Sequence, residues 1–196
     1  MQDTRLEVAG LAARWVVEDG LEFGMAKKRA MESLGLRGRA VQPDNLMVED
    51  AVRDYIATFC PESQAQELMA LRRCALYWMD RLAPFRPYLF GAVWSGIATR
   101  WSDIHLSLFC DDPKLAELFL IDQRVQYRAG AYEGNRGSPL SVLSIDYFCK
   151  DLAENVGVHL SIHEADDLRF APRLDAKGRP LRGDGQAVRA LIEEKI

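Results

Sequence analysis

Over the first eighty positions apolar residues recur every three or four places, the period of amphipathic helices. Leu6, Ala9, Ala13, Val16 and Val17 make one series that Gly20 suits as a stop. A second helix is predicted from Phe23 to Leu34, ending at Gly35. Pro43 fits the first turn of a third, whose apolar face is Val48, Val52, Tyr55, Ile56 and Phe59. Pro61 opens a fourth, in which Leu68, Leu71, Ala75, Trp78 and Leu82 share one face and which Pro84 and Pro87 close.

Beyond Pro87 the period shortens towards two. Tyr88-Leu89-Phe90 runs into a glycine turn, and Asp103 to Cys110 alternates like a strand with one buried face. Asp111-Asp112 signals the cap of a short helix over Pro113 to Leu120. Further strands are predicted at Arg124 to Arg128, Val142 to Phe148 and Val156 to His163, with Gly130, Gly134, Asn135, Gly137 and Pro139 marking a loop. Asp184 caps a last helix holding Val188, Leu191 and Ile192. Helices first, then a small mixed sheet with helices over it, is an α+β pattern. We expect a helical N-terminal region over 1–83 packed on an α/β core over 84–196, with the helix at 62–83 lying on that core.

Composition narrows the class rather than naming it. A hydrophobic content of 48% with 28% charged residues supports a packed core and excludes disordered and collagen-like chains. The 25 Lys+Arg against 29 Asp+Glu leave a net charge of −4, so no global positive field draws the protein to nucleic acid or anionic membranes. No run of about 18 apolar residues occurs and the first residues lack a secretory signal, which leads to the expectation of a cytoplasmic protein. Cys60, Cys74, Cys110 and Cys149 have no close spacing and read as reduced, mostly buried thiols.

The chemistry lies in Phe90-Gly91-Ala92-Val93-Trp94-Ser95-Gly96-Ile97-Ala98-Thr99-Arg100-Trp101-Ser102-Asp103-Ile104-His105. A strand ends in a glycine turn, and after a short connection a second strand opens with Asp-x-His. Asp103 and His105, two apart, point to the same side. Gly91 and Gly96 let backbone N–H groups approach a phosphate without a side chain in the way. There is no P-loop, Rossmann fingerprint, nucleophile elbow or HExxH.

This stretch resembles the signature of the DNA polymerase β-like nucleotidyltransferase superfamily. Gly91 matches its first glycine, Gly96 and Ala98 its Gly-x-Ala, and Ser102-Asp103 its Ser-Asp, twelve residues after Gly91. The resemblance covers roughly residues 67 to 165 and implies a nucleotide held by Gly91, Ser95, Gly96, Arg100 and Ser102. It also implies a divalent metal, Mg²⁺ or Mn²⁺, on Asp103, the residue at 105 and a third acid. Asp146 is the best candidate for that acid; the other position is 159, where the strand Val156 to Leu160 carries a histidine. The family's phosphate-holding serine is Ala92 here, and its second metal-binding aspartate is His105. Carboxylates suit Mg²⁺, whereas imidazole suits Zn²⁺ better and removes a negative charge.

Two readings therefore follow from the resemblance. In one, Asp103, His105 and Asp146 serve catalysis, and Asp103, His105, Asp146 and His159 hold a metal, Zn²⁺ included, while an acceptor hydroxyl attacks the α-phosphate of a nucleoside triphosphate. In the other, the fold is a catalytically inactive pseudoenzyme that binds protein or nucleic acid. Lys27, Lys28, Arg29, Arg37 and Arg39 form a basic cluster that suits nucleic-acid phosphates, and equally a solvated helix face. Arg72, Arg73, Arg81 and Arg86 are further candidates for steering a nucleotide, and the N-terminal helices for docking a protein partner.

Overall fold

The computed structural model describes residues 2–133, 139–170 and 173–194. Gly134, Asn135 and Gly137 of the expected loop lie outside the described residues. The chain folds as two compact units, Met1–Glu67 with Ile97–Trp101 and Leu68–Gly96 with Ser102–Ile196.

The first unit is helical: α1 (Gln2–Asp19), α2 (Phe23–Ser33), α3 (Asn45–Phe59) and the start of α4 (Ser63–Arg81). α1 packs on α2 and α3. Its buried stripe is Val8, Ala9, Ala12, Ala13, Val16 and Val17, and the alanines let neighbouring backbones come close. Leu6 and Phe59, both expected on apolar faces, are exposed, Phe59 lying tilted against Tyr55. Pro43 precedes α3 rather than opening it, because the Asp44 carboxylate accepts the Met47 N–H and fixes the cap there. The segment Ile97–Trp101 is stitched to this unit by its backbone. Gln64 Nε2 donates to the Ala98 carbonyl at 2.8 Å, and the Arg100 N–H donates to Glu67 at 2.9 Å. Gly20 has φ +66°, and a Cβ there would lie 2.7 Å from that of Trp101, so the turn requires glycine.

The second unit holds the rest of α4, then β1 (Tyr88–Phe90), α5 (Ala92–Ser95), β2 (Ile104–Cys110), α6 (Pro113–Asp122), β3 (Arg128–Glu133), β4 (Pro139–Cys149), β5 (Glu154–Glu164), β6 (Arg182–Gly183) and α7 (Gly185–Glu193). The architecture is α+β, and the sheet order is β3-β4-β5-β2-β1-β6. β2 and β5 run parallel and every other neighbouring pair antiparallel, so the sheet is mixed. Asp112 and Asp184 cap α6 and α7 as their positions predict. The strand expected at Arg124 to Arg128 begins only at Arg128. Residues 123–127 instead turn out of α6, with Arg124 left-handed at φ +55° and the Val125 N–H bonded to Leu120.

The period of two sorts this sheet into two unlike faces. One carries Leu106, Leu108, Leu143, Ile145, Val156, Val158 and Leu160, all buried. α4 lies on this face, with Tyr77 stacked on Tyr147 at 5.5 Å and Trp78 edge-on to the same ring. The opposite face carries His105 and Ser107 from β2, His159 and Ser161 from β5, and Ser144 and Asp146 from β4. These are cross-strand neighbours: His105 pairs with His159, Ser144 with His159 and Asp146 with Gly157.

Candidate functional site

Asp103 stands one residue before β2, with its carboxylate over Gly157 of the neighbouring strand. A Cβ on Gly157 would sit 2.6 Å from Oδ1, so only glycine leaves room for the group. Both carboxylate oxygens are engaged from β5: Oδ1 accepts the Gly157 N–H at 3.0 Å, and Oδ2 lies 3.1 Å from His159 Nε2. The His159 hydrogen bond holds the Asp103 carboxyl below its ordinary 3.8; burial opposes the shift, while the His159 charge, the Gly157 N–H and the His105 charge reinforce it.

His159 is fixed at its other end by Ser144, whose Oγ lies 2.9 Å from Nδ1. An ionised Asp103 accepts from Nε2–H, which leaves Nδ1 of a neutral ring to accept the serine hydroxyl. His105 stacks on His159 with ring centroids 5.0 Å apart and planes 23° from parallel. On its far side it meets Phe90, and a Cβ on Gly91 would touch it at 3.6 Å. The glycine turn is thus adjacent to the histidine pair. Gly91 (φ +75°) and Gly96 (φ +83°) bracket α5, a single helical turn within the short connection expected, and Ser95 is its last residue.

A residue placed among nucleotide-steering candidates fastens this turn. Arg72 is 4% exposed, and its guanidinium donates to the carbonyls of Val93 at 3.2 Å and Trp94 at 3.3 Å. Desolvation lowers its pKa. It is an internal clasp for α5, and a Cβ on Gly96 would make only ordinary contact with it at 3.5 Å.

Of the two positions considered for the third acid, the structure brings 159 to Asp103. Asp146 shares the polar face but lies on β4, two strand spacings or roughly 10 Å of backbone from β2. There it pairs with Arg128 at 3.1 Å in the open. Ser102 is half-buried beside Asp103 in the chain. Arg100 belongs with the other compact unit, its guanidinium over the Trp101 ring at 5.5 Å. The basic cluster is dispersed, because consecutive helical residues point about 100° apart. Lys27 is buried and bonds Asn45 at 2.8 Å, Arg29 pairs with Asp19 and covers Trp15, and Lys28 and Arg37 are exposed. The Arg39 side chain lies outside the described residues.

The donor set does not fit the divalent metal that the resemblance implies. Asp103 spends both oxygens within the chain, and the His159 nitrogens face Asp103 and Ser144. Among the described residues no three His, Cys, Asp or Glu side chains group around a position a metal could take. Ser144, His159 and Asp103 form a hydrogen-bonded chain, with Ser144 at the last pair of the β3–β4 ladder, opposite Arg128. Ser144 and Gly157 went unassigned in the sequence, although a glycine inside a strand is itself a sign of close approach.

No protein-family model and no curated protein matches this chain. Among solved structures it is similar to a cytoplasmic RNA terminal U-transferase, at 17% identity and a TM-score of 0.37 over 56% of this chain and 36% of that one. It is also similar to Cid1 in complex with the UTP analogue UMPNPP, at 15% identity, TM-score 0.37 and coverage of 57% and 37%. The Cid1 poly(U) polymerase with MgGTP bound gives 13% identity, TM-score 0.36 and coverage of 57% and 38%. The chain spans little more than a third of the length of these structures. Among the described residues no helix is long and apolar enough to cross a membrane.

Proposed function

We propose that this chain is a nucleotidyltransferase-like binding module that has given up metal-dependent transfer and binds a nucleotide through its phosphates. The observation that carries the reading is the engagement of both Asp103 oxygens by Gly157 and His159. In a two-metal transferase that carboxylate must be open to cations, whose charge offsets that of the triphosphate. Here a hydrogen-bond donor of the chain itself takes the cation's place, and the neighbouring position is His105 rather than a second acid. A phosphate beside the glycine turn of Gly91, Ser95 and Gly96 would meet imidazole instead of paired carboxylates, and so would need no bridging ion to relieve repulsion. Ser102 adjoins this mouth in sequence; Arg100, tied into the helical unit, is not required.

The test is calorimetric titration of the full chain with each of the four ribonucleoside triphosphates, in EDTA and in Mg²⁺, alongside transfer of labelled nucleotide to an RNA 3′ end. The expected result is binding that EDTA does not weaken, with no label transferred. Failure of all four to bind would overturn the nucleotide reading. Transfer that requires Mg²⁺ or Mn²⁺ and disappears in Asp103→Asn would overturn the loss of catalysis.

A further inference from the structure

Cys74 and Cys149 stand 75 positions apart in sequence, yet their Sγ atoms lie 2.9 Å apart, less than about 1 Å beyond the length of a covalent S–S bond. Both are free thiols. Cys74 is on α4, half-buried; Cys149 is the last residue of β4 and fully buried. The contact sits inside a series of fastenings between α4 and β4 with the turn that follows it. Arg73 pairs with Asp151 at 3.2 Å on one side of it, and Tyr77 and Trp78 pack on Tyr147 on the other. Helix and strand are thus held so that the sulfurs meet without backbone movement, the condition an unstrained disulfide needs. None of this bears on the polar face of the sheet.

We propose that Cys74 and Cys149 are a disulfide-forming pair that cross-links α4 to the end of β4 when the protein meets a peroxide. The Cys74 thiolate, the partly accessible one, attacks a peroxide oxygen. The O–O bond breaks, leaving a sulfenic acid on Cys74 and releasing hydroxide, which takes up the thiol proton as water. Cys149 sulfur then attacks Cys74 Sγ; the S–S bond forms, the S–O bond breaks, and the departing hydroxide leaves with the Cys149 proton as a second water. Two electrons pass from the two sulfurs to hydrogen peroxide. Burial, reinforced by the hydrogen bond to Cys149, pushes the Cys74 thiol up, so little thiolate exists near neutrality and the first step quickens as pH rises. The second step is set up by contact. This is a pair that answers sustained oxidant and ignores a brief one.

The full chain is treated with hydrogen peroxide at pH 8, denatured, alkylated and mapped by mass spectrometry. Alkylatable thiols should fall from four to two, the mass by about 2 Da for the two hydrogens lost, and a peptide pair should join positions 74 and 149. The link closes a long loop, so the melting temperature should rise by roughly 5–10 °C and return with a reductant. Four alkylatable thiols after treatment, oxidation of Cys74 to sulfinic acid without a cross-link, or a disulfide joining a different pair would each overturn the proposal. So would a cross-link that disappears in a folded Cys60→Ser/Cys110→Ala protein, because neither residue takes part in the contact.

Discussion

Replacing Gly157 by alanine places a methyl carbon 2.6 Å from Asp103 Oδ1 and 2.7 Å from its Cγ. No atom pair tolerates that approach, so something must yield. The Asp103 side chain is 48% exposed and is the freer partner, so the carboxylate swings out rather than the strand parting. The swing removes two hydrogen bonds to a charged group, from the Gly157 N–H and from His159. Hydrogen bonds of this kind contribute about 1.5–3 kcal/mol each when buried; discounted for exposure, the two together are worth about 1–2 kcal/mol. Alanine returns roughly 0.5–1 kcal/mol by narrowing the unfolded ensemble, which leaves the single substitution only mildly destabilising. A double-mutant cycle separates the two effects. An Asp103→Ala background removes the three atoms nearest the methyl group, and Gly157→Ala should there be neutral or stabilising. Urea unfolding of the four proteins at pH 7 should give a coupling of about 1–2 kcal/mol with the slope unchanged. Because Asp103 is held below its ordinary 3.8, its contribution is complete above that value and is lost as pH falls through the depressed one. The coupling should therefore fade in strong acid. Additivity within about 0.3 kcal/mol at pH 7 would refute the account of Gly157 and of the closed carboxylate together.

Arg72→Met keeps the aliphatic stem but strips the donors from one buried and one part-buried carbonyl, at a cost of about 2–3 kcal/mol; a fall in melting temperature of roughly 5–10 °C is expected, and one under about 2 °C would show that α5 needs no clasp. His163, stacked on Phe109 at 5.2 Å, is kept below its ordinary 6.5 by burial and by the Arg182 charge, against the pull of Asp167. Its share of stability is thus intact above pH 6.5 and lost as pH falls through the depressed value. His163→Gln should flatten the acid side of the stability profile, and an unchanged profile would exclude it as a source. Asp184→Ala removes the cap bond to the Ala187 N–H of α7 and should cost about 1 kcal/mol by urea unfolding.

Much of the fold was legible because single residues declare it. The strand at β2 was readable although it buries both faces, Ser107 and Phe109 included, rather than the one expected; the five apolar positions of the fourth helix are all buried, Leu82 just past its end, and Asp112 and Asp184 cap where their spacing says. β3 was displaced because Arg128-Ala129-Gly130-Ala131 carries little strand preference; pairing with β4 alone makes it a strand. α5 is one turn long, below the reach of any helical period. Legibility of the site stopped at strand order. Whether Asp146 or His159 faces Asp103 depends on which strand runs beside β2, and local spacing holds no record of that. Arg72 read as a candidate for steering a nucleotide because the spacing of a helix holds no record of its inward partners; the two carbonyls that draw it in lie more than twenty residues away.

The route of the chain between its two compact units has a consequence for anyone who would cut it. The polypeptide passes from one to the other inside α4, returns for Ile97–Trp101 alone, and leaves again at Ser102. Those five residues are bound by Gln64 and Glu67, yet in sequence they sit between the glycine turn and Asp103. No single truncation point can separate the helical unit from the sheet: residues 68–196 expressed alone would carry a connector stripped of its hydrogen-bond partners immediately before the aspartate on which the site is built. The N-terminal helices are thus not a detachable module, and a gene fusion or recombination event that exchanged them would have to match the loop between β1 and β2 as well.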